Sequence, residues 1–212
     1  MAVLQKKIDF ALVFTVKNAN PNGDPLNGNI PRLTLDGHGE LSDVCLKRKI
    51  RNRLLEFGEN IFVQSDDYRK DEFKSLKARA DSVLKDVAKD KEKYQKLACQ
   101  TWIDVRSFGQ VFAFKGNDLS VGIRGPVTIQ SAFSVDTVNV TSLQITKSVN
   151  SEDKDGKKAS DTMGMKHRVD FGLYTTFGSI NPQLAELTGF SDEDADKIKN
   201  ALLHIYSKLS IL

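Results

Sequence analysis

Residues 42–57 read SDVCLKRKIRNRLLEF, and the rest of the chain is organised around this stretch. Ser42 is a residue type that favours the start of a helix, and the acid that follows it suits the first turn because of the helix dipole. The apolar residues recur at helical spacing, at Leu46, Ile50, Leu54 and Phe57. The stretch therefore predicts one amphipathic helix that buries a single apolar stripe.

The same helix carries five cations within seven residues: Lys47, Arg48, Lys49, Arg51 and Arg53. Two pairs of them have the i,i+4 spacing, and like charges at that spacing cost roughly a few tenths of a kcal/mol per pair. A helix with two such pairs either tolerates a solvated basic face or binds a polyanion. Both interpretations remain open from this stretch.

Length and composition predict a globular protein with little overall charge bias. The chain has 212 residues, 40% of them hydrophobic, and a formal net charge of +3, so the clustering of the cations matters more than their total. The two cysteines, Cys45 and Cys99, lack metal-ligand spacing, which favours reduced thiols. No apolar run has the length of a signal or a membrane span. We expect a cytoplasmic protein without a membrane partner.

The N-terminal half predicts a strand, a long loop and two helices. Residues Ile8 to Val16 alternate with apolar side chains on both faces, which predicts a central strand. A loop rich in Asn, Gly and Pro follows over residues 17–29. Residues 69–98 predict one long helix on a surface insertion, which we place at residues 58–101.

The C-terminal half predicts strands and then two helices. A period of two begins at Trp102 and continues to about residue 176. Within it, residues of about 130–170 predict two β-arms with a polar tip at 150–161. A helix capped by Asn181 stops at Gly189, and a second one starts at Ser191.

The sequence offers little for catalysis. Asp24 and His38 lie in or near the first loop and could contribute to a metal site, but no closely spaced carboxylate pair accompanies them. Nucleophile and nucleotide-binding motifs are absent. We therefore expect no catalytic residue, no metal and no cofactor.

Residues 106–114, RSFGQVFAF, half-match the RNP1 signature of RNA-recognition sheets. Arg106, Phe108, Gly109 and Val111 agree with the signature, whereas Gln110 and Ala113 replace aromatic residues that would stack on bases. If the segment contacts RNA, we expect contact with the backbone more than with bases. An ordinary amphipathic strand is the alternative.

Six segments, in this order, resemble the backbone subunit of the type I-C CRISPR surveillance complex (Cascade), in the Csd/Csh branch of the RAMP superfamily. They are NANPNGDP (18–25), DVCLKRKIRN (43–52), RSFGQVF (106–112), VGIRGPV (121–127), TMGMKH (162–167) and FGLYTTFGSINPQLAELTGFSDED (171–194). The resemblance covers about residues 8–205.

The resemblance implies an α+β fold: a single ferredoxin-like, RRM-type palm over residues 1–212, with a helical fingers insertion and a projecting β-hairpin thumb. It implies a non-catalytic subunit of antiviral defence that binds the CRISPR guide RNA and oligomerises along it. Its partners would be further copies of itself, other Cascade subunits and, through the guide, target DNA. Recognition would be independent of sequence, since pairing is delegated to the RNA.

The RNA-binding residues that we predict, from the resemblance together with the basic segments, are Asn20, Asn22, Lys47, Arg48, Lys49, Arg51, Arg53, Arg106, Ser107, Gly109, Arg124, Lys147, Ser148, Met163, Lys166 and His167. The first two lie in the long loop, the next five on the basic helix, and the last five in the thumb.

One departure and two alternatives remain. The family is normally longer, so we expect that the C-terminal part of the palm is missing here. One alternative is a RAMP-type metal-dependent endoribonuclease that uses the Asp24 loop, because some relatives cut RNA with a loop aspartate. The other is a plain interaction scaffold whose basic helix is only a solvated face.

Overall fold

The structure is a computed structural model that describes residues 2–114, 120–146 and 163–206. The chain forms two compact units. Unit 1 contains residues 1–11, 44–130 and 177–212, and unit 2 contains residues 12–43 and 131–176. Because the chain passes from one unit to the other four times, both units depend on contacts between segments that are far apart in sequence.

The strands of the described residues are β1 Ile8–Ala19, β2 Gly23–Asp24, β3 Ile30–Pro31, β4 His38–Leu41, β5 Gly109–Phe112, β6 Val121–Arg124, β7 Val127–Ile129, β8 Ala132–Thr137, β9 Val140–Thr146 and β10 Met163–Ile180. The main sheet has the order β1-β10-β8-β4, and β7 and β9 also pair with β10. Strand β10 runs antiparallel to β7, β8 and β9. The pairs β2-β3 and β5-β6 are separate two-stranded sheets. The expected mixture of helices with an antiparallel sheet is confirmed.

The helices are α1 Asp43–Glu56, α2 Leu76–Leu84, α3 Lys91–Thr101, α4 Ile103–Phe108, α5 Pro182–Thr188 and α6 Asp192–Leu203. Helix α1 buries Leu46, Ile50 and Leu54, so the predicted apolar stripe is confirmed. Gly58, just after α1, adopts a φ of +90°, a conformation that favours glycine at a helix end. None of the helices in the described ranges is long and apolar enough to cross a membrane.

Strand β1 lies at an end of the main sheet, so the prediction of a central strand is wrong for the described residues. The predicted alternation is confirmed, because one face turns Val16 into the core while the other leaves Val13 59% exposed. The apolar residues on the second face misled the prediction. They lie on an open face of the sheet instead of under a second layer.

The prediction of one long helix over residues 69–98 is also wrong. Helix α2 ends in a 3₁₀ turn at Lys85–Val87, and α3 starts afresh because the Asp90 side chain accepts a hydrogen bond from the Lys93 amide. The two helices are more than a surface appendage, since Ala80, Leu84 and Tyr94 share a core with Phe62, Trp102 and Phe112. The larger insertion at 58–101 stays a prediction.

The segment after Trp102 forms helix α4, so the prediction of a strand there is wrong. Helix α4 ends at Phe108, and the next residue, Gly109, has a φ of +79°. Glycine adopts this conformation more readily than other residues do. Only Gly109–Phe112 is extended, and it pairs with β6. The RNP1-like segment is therefore a helix end followed by a short strand.

The predicted β-arms and C-terminal helices are confirmed. Strand β9 pairs with β10 from Thr146↔Met163 to Val140↔Val169. Asn181 caps α5, which ends at Gly189. A capping box built by Ser191 and Asp194 starts α6. The predicted tip at 150–161 lies outside the described residues.

Candidate nucleic-acid interface

The buried side of α1 holds Arg51 in an ion pair. Its Nε lies 2.9 Å from Oδ2 of Asp104, which belongs to α4. The Asp104 side chain is 1% exposed and also accepts hydrogen bonds from the amides of Phe62 (2.7 Å) and Val63 (3.0 Å). The Arg51 guanidinium lies over the Phe108 ring, 5.0 Å from its centroid. One carboxylate thus joins α1, α4 and the segment between α1 and α2.

A second cation of α1 is also neutralised within the helix. Arg53 Nη1 lies 2.5 Å from Oε2 of Glu56, and the Arg53 side chain is buried. The ion pair has the i,i+3 spacing that brings side chains together on one helix face. Arg53 therefore contributes more to the packing of α1 than to its outer surface.

The outer side of α1 carries the remaining cations. Arg48 is exposed, and Lys47 and Lys49 are half-buried. The Lys49 ammonium lies 5.3 Å from the centroid of the Tyr206 ring. Long cationic side chains can pack their stems and still present their charged ends to solvent. This side of the helix is the one that can approach a polyanion.

Arg106 at the end of α4 makes a two-pronged contact with α6. Its Nε and Nη2 donate to the two oxygens of Asp194, at 2.9 and 2.7 Å, and its Nη1 donates to the Cys99 carbonyl. Burial opposes ionisation of the Asp194 carboxyl. Hydrogen bonds from Arg106 and Ser191 outweigh that effect, so the pKa of Asp194 lies below its usual range.

The turn after α4 is closely packed against β6. A Cβ on Gly109 would lie 2.3 Å from the Ile123 carbonyl oxygen, and one on Gly125 would lie 2.3 Å from the Ser107 carbonyl oxygen. Ser107 is fully buried, and its Oγ has no hydrogen-bond partner in the part of the chain that the structure describes. Arg124 is exposed on β6. Of the predicted residues in this region, only Arg124 presents a charge to solvent.

The two loop asparagines support the loop itself in unit 2. The Asn22 Oδ1 accepts hydrogen bonds from both the amide (2.9 Å) and the hydroxyl (3.0 Å) of Ser42. The Asn20 amide donates to the Asn29 carbonyl at 2.7 Å. These contacts fix the long loop just before α1.

The predicted thumb residues are described in part. Lys166 is exposed on β10, and the Nδ1 of His167 lies 2.8 Å from the Ser142 hydroxyl on β9. The backbone of Met163 pairs with Thr146. Lys147 and Ser148 lie outside the described residues. The assignment of all five residues to RNA contact stays a prediction.

The residues considered for catalysis have local partners. The Asp24 carboxylate accepts from the Leu26 amide at 3.1 Å and from Arg32 at 3.4 Å, as suits a turn residue. The Nδ1 of His38 lies 2.9 Å from the Ser134 carbonyl oxygen. Among residues 2–114, 120–146 and 163–206, no three His, Cys, Asp or Glu side chains cluster as metal ligands.

The sequence interpretation did not identify the acids Asp104 and Asp194, which hold two of the predicted cations. The sequence does contain a signal for Asp104. This acid lies within the apolar run WIDV, and a carboxylate buried among apolar residues is normally paired. No comparable signal marks Asp194, which lies among other acids in DEDAD. Its role becomes visible only in three dimensions.

The fold matches chains of CRISPR complexes. A chain of a structure described as "CRISPR RNA-guided surveillance complex, pre-nicking" aligns with a TM-score of 0.59 and 16% identity, over 96% of this chain and 72% of that chain. A chain of another "CRISPR RNA-guided surveillance complex" gives 0.54 and 18%, over 96% and 61%. The fold therefore places the protein in the same structural class as these two chains.

Sequence comparison identifies the family. A "CRISPR-associated protein Cas7" from Haloferax volcanii is 26% identical over 90% of this chain, and the chain spans 61% of that relative's length. The sequence model of the family "CRISPR-associated protein Cas7" matches residues 6–210. The chain belongs to this family. The resemblance drawn from the six segments is thereby confirmed at the family level, and the type I-C subtype stays a prediction.

Proposed function

We propose that the protein is a non-catalytic backbone subunit of a type I-C Cascade, acting in the cytoplasm in antiviral defence. In this proposal several copies bind along one CRISPR guide RNA, beside other Cascade subunits, and present the guide for pairing with target DNA. The observation that carries the proposal is the family match, which extends over residues 6–210. The likeness in fold to chains of surveillance complexes supports it.

The proposal includes a ferredoxin-like palm. In support, β10 lies between β1 and β8, helix α1 follows β1 after the short strands β2, β3 and β4, and helix α6 follows β10 after the short α5. Two helices that follow alternating strands of one antiparallel sheet are typical of the split β-α-β arrangement. Residues 58–101 would be the fingers, and residues of about 130–170 the thumb.

Two exposed arginines, together with two half-buried lysines of α1, would hold the guide through its phosphates. We assign this contact to Arg48, Lys47 and Lys49 on α1 and to Arg124 on β6. Arg51, Arg53 and Arg106 are ion-paired within the chain, so we narrow their role to positioning these surfaces. Phosphate contacts carry no base information, and binding would therefore be similar for different RNA sequences.

Salt-dependent RNA binding tests the proposal. Labelled single-stranded RNAs of different sequence should bind the purified protein with similar affinity by fluorescence anisotropy. On a double-logarithmic plot their affinity should fall with salt by about 0.7 in slope for each phosphate contact. Affinity that is undetectable, or that does not change with salt, would leave an interaction scaffold as the better account.

A cleavage assay tests the absence of catalysis. We expect labelled RNA incubated with the protein and Mg²⁺ or Mn²⁺ to stay intact. Cleavage that the Asp24→Ala variant abolishes would instead establish the endoribonuclease alternative. A comparison with Asp86→Ala, which changes an exposed aspartate outside this loop, separates loss of a catalytic group from loss of surface charge.

A further inference from the structure

Strands β5 and β6 form a two-stranded ribbon in unit 1 that has one buried face and one open face. The buried face contributes three residues to the hydrophobic core of this unit: Phe112, Val121 and Ile123. The register pairs Gly109 with Arg124 and Val111 with Gly122. Because directly opposed residues of a sheet share a face, these four residues lie together on the open face. The core packing holds this face in place from the other side.

Gly122, in the middle of β6, has no structural need to be glycine. A Cβ built on it would meet no atom within 4 Å, and its φ is not in the left-handed region. Among the glycines of residues 2–114, 120–146 and 163–206, it alone combines these two properties. On Gly125, in contrast, a Cβ would lie 2.5 Å from the Gly109 nitrogen. A glycine within a strand costs stability, and it often marks a place where a ligand or another backbone approaches closely.

The open face combines an uncharged surface with one cation. Val111 is 65% exposed and lies opposite Gly122, which has no side chain to cover the peptide groups beside it. Arg124 is exposed two residues further along β6, at a spacing of about 7 Å. Within the described residues, no ion pair or side-chain hydrogen bond holds its guanidinium. The face therefore presents a positive charge beside a flat apolar surface.

We infer that the open face of the β5–β6 ribbon receives the sugar–phosphate backbone of the RNA strand. This inference rests on the proposed function and extends the contact assigned to Arg124. The guanidinium of Arg124 would hold one phosphate. The adjoining ribose would pack on Val111, in the space that Gly122 leaves open. Contacts with phosphate and sugar read no base, so they agree with binding that is independent of sequence.

Size and charge favour RNA over a protein as the occupant of this face. The paired residues of each strand span about 13 Å, and a strip of that length is far smaller than the roughly 800 Å² that each partner contributes to a stable protein interface. None of the four residues on the face is acidic, and the exposed Ala113 and Ser120 just beyond them are uncharged. A guanidinium without a neighbouring acid is suited to a phosphate, whose oxygens it can bind in pairs.

Substitutions of Gly122 test the inference without removing a charge. Gly122→Leu places a bulky side chain where the Cβ has open space, so the variant should be at least as stable as the wild type in urea denaturation. It should nevertheless bind single-stranded RNA about fivefold more weakly at about 0.1 M salt, with a slope flattened by about 0.7, as the loss of one phosphate contact predicts. Gly122→Ala should have a smaller effect in the same direction. Ala11→Leu, which adds bulk at an exposed position of β1, should bind as the wild type does.

Two further variants separate the phosphate contact from the sugar contact. Adding Arg124→Gln to Gly122→Leu should flatten the slope no further than either change alone, because both remove the same phosphate contact. Val111→Ala should weaken binding about threefold and leave the slope unchanged, since an apolar contact releases no counterion. Val13→Ala is its matched control, because it truncates another exposed valine, on β1.

Anisotropy titrations over a range of salt distinguish the outcomes. If Gly122→Leu binds RNA with the affinity and slope of the wild type, the inference is overturned and the proposed function stands. Additive slope changes in the double variant would also overturn it, because Gly122 and Arg124 would then affect separate contacts. A wild-type protein that binds no RNA would overturn both. If Gly122→Leu changed only self-association, measured by sedimentation velocity, the face would belong to a protein interface instead.

Discussion

The positive residues of α1 and α4 separate into two groups that look alike in the sequence. Arg51 and Arg106 are largely buried and held by Asp104 and Asp194. Arg48, on the other hand, is exposed one turn before Arg51. In the first group each cation joins distant parts of unit 1. In the second group, which contains Arg48, the charged end of the side chain remains in solvent. A cluster of cations in a sequence therefore overstates the charge that the folded surface offers.

The comparison shows why the like-charge spacing of α1 is tolerated. Lys47 and Arg51 are four residues apart, yet Arg51 is paired with a carboxylate that is 1% exposed. The expected repulsion between the two cations is offset by this pair. A buried cation without its acid would be costly, because it has lost its hydration and gained nothing.

The largest effect is expected from Asp104→Ala. The substitution leaves Arg51 buried without its carboxylate and removes the acceptor of the Phe62 and Val63 amides. Breaking a buried ion pair by removing one partner costs about 3–5 kcal/mol. The free energy of unfolding, measured by urea denaturation, should fall by about 4 kcal/mol or the protein should fail to fold.

A double variant distinguishes the lost pair from a general effect of the substitution. In Asp104→Ala/Arg51→Leu the unpaired cation is gone, so part of the stability should return. If the double variant were less stable than Asp104→Ala by the full cost of Arg51→Leu, the two side chains would be acting independently. The assignment of Arg51 to the buried group would then be wrong.

Asp194→Asn is expected to have the next largest effect, and the effect depends on pH. The pKa of Asp194 is lowered in the folded state. Its ionised form therefore stabilises the fold above the unfolded-state pKa of about 3.9, and this contribution is lost as the pH falls through the folded-state pKa. At neutral pH the variant should lose about 2 kcal/mol. The difference from the wild type should shrink on acidification.

Thermal melts between neutral and strongly acidic pH check this expectation. Asp196→Asn is the matched control, because Asp196 is exposed on the same helix. It should follow the wild-type profile at every pH. A constant difference between Asp194→Asn and the wild type would mean that the Arg106–Asp194 pair does not depend on ionisation of the carboxylate.

Local sequence signals predicted those elements whose contacts are close in the chain. The stripe of α1 and the caps of α5 and α6 each depend on residues within one or two helical turns. The pairing of β9 with β10 followed from two alternating segments around a polar stretch. These features were predictable because the residues that determine each of them lie close together in the sequence.

The incorrect predictions concern segments whose structure depends on distant partners. The run WIDV forms the start of α4, and its Asp104 contacts Arg51, which is 53 residues away. Arg106 and Asp194 are 88 residues apart. Alternation in β1 showed a strand but not its place in the sheet, since strand order is decided by tertiary contacts. For the same reason, no local signal indicated which cations would be buried.

A smaller effect is expected from the two cation–aromatic contacts. Tyr206→Leu removes the ring beside Lys49, where Tyr206 is 44% exposed, and should cost about 0.5 kcal/mol. Phe108→Leu removes the ring beside Arg51, whose side chain is only 13% exposed. It should cost about 1 kcal/mol, since such contacts strengthen when desolvated. Urea denaturation of both variants would test this order, and equal costs would contradict it.

The smallest effect on stability is expected for the exposed cations, and it is accompanied by the largest effect on RNA binding. Arg48→Gln and Arg124→Gln should change the free energy of unfolding by no more than about 0.5 kcal/mol. Each should flatten the salt dependence of RNA affinity by about 0.7 in slope, equally for all sequences. Arg51→Gln should instead lower the free energy of unfolding and leave the salt dependence of RNA affinity unchanged, because the Arg51 guanidinium is already paired with Asp104.

Anisotropy titrations over a range of salt, on variants first shown to be folded, separate these outcomes. A flattened slope for Arg51→Gln with unchanged stability would identify Arg51 as a phosphate ligand. It would also show that a guanidinium held by Nε on Asp104 can still bind RNA through its outer nitrogens. If instead only Arg48→Gln and Arg124→Gln flatten the slope, exposure and not clustering in the sequence decides which cations of this protein bind RNA.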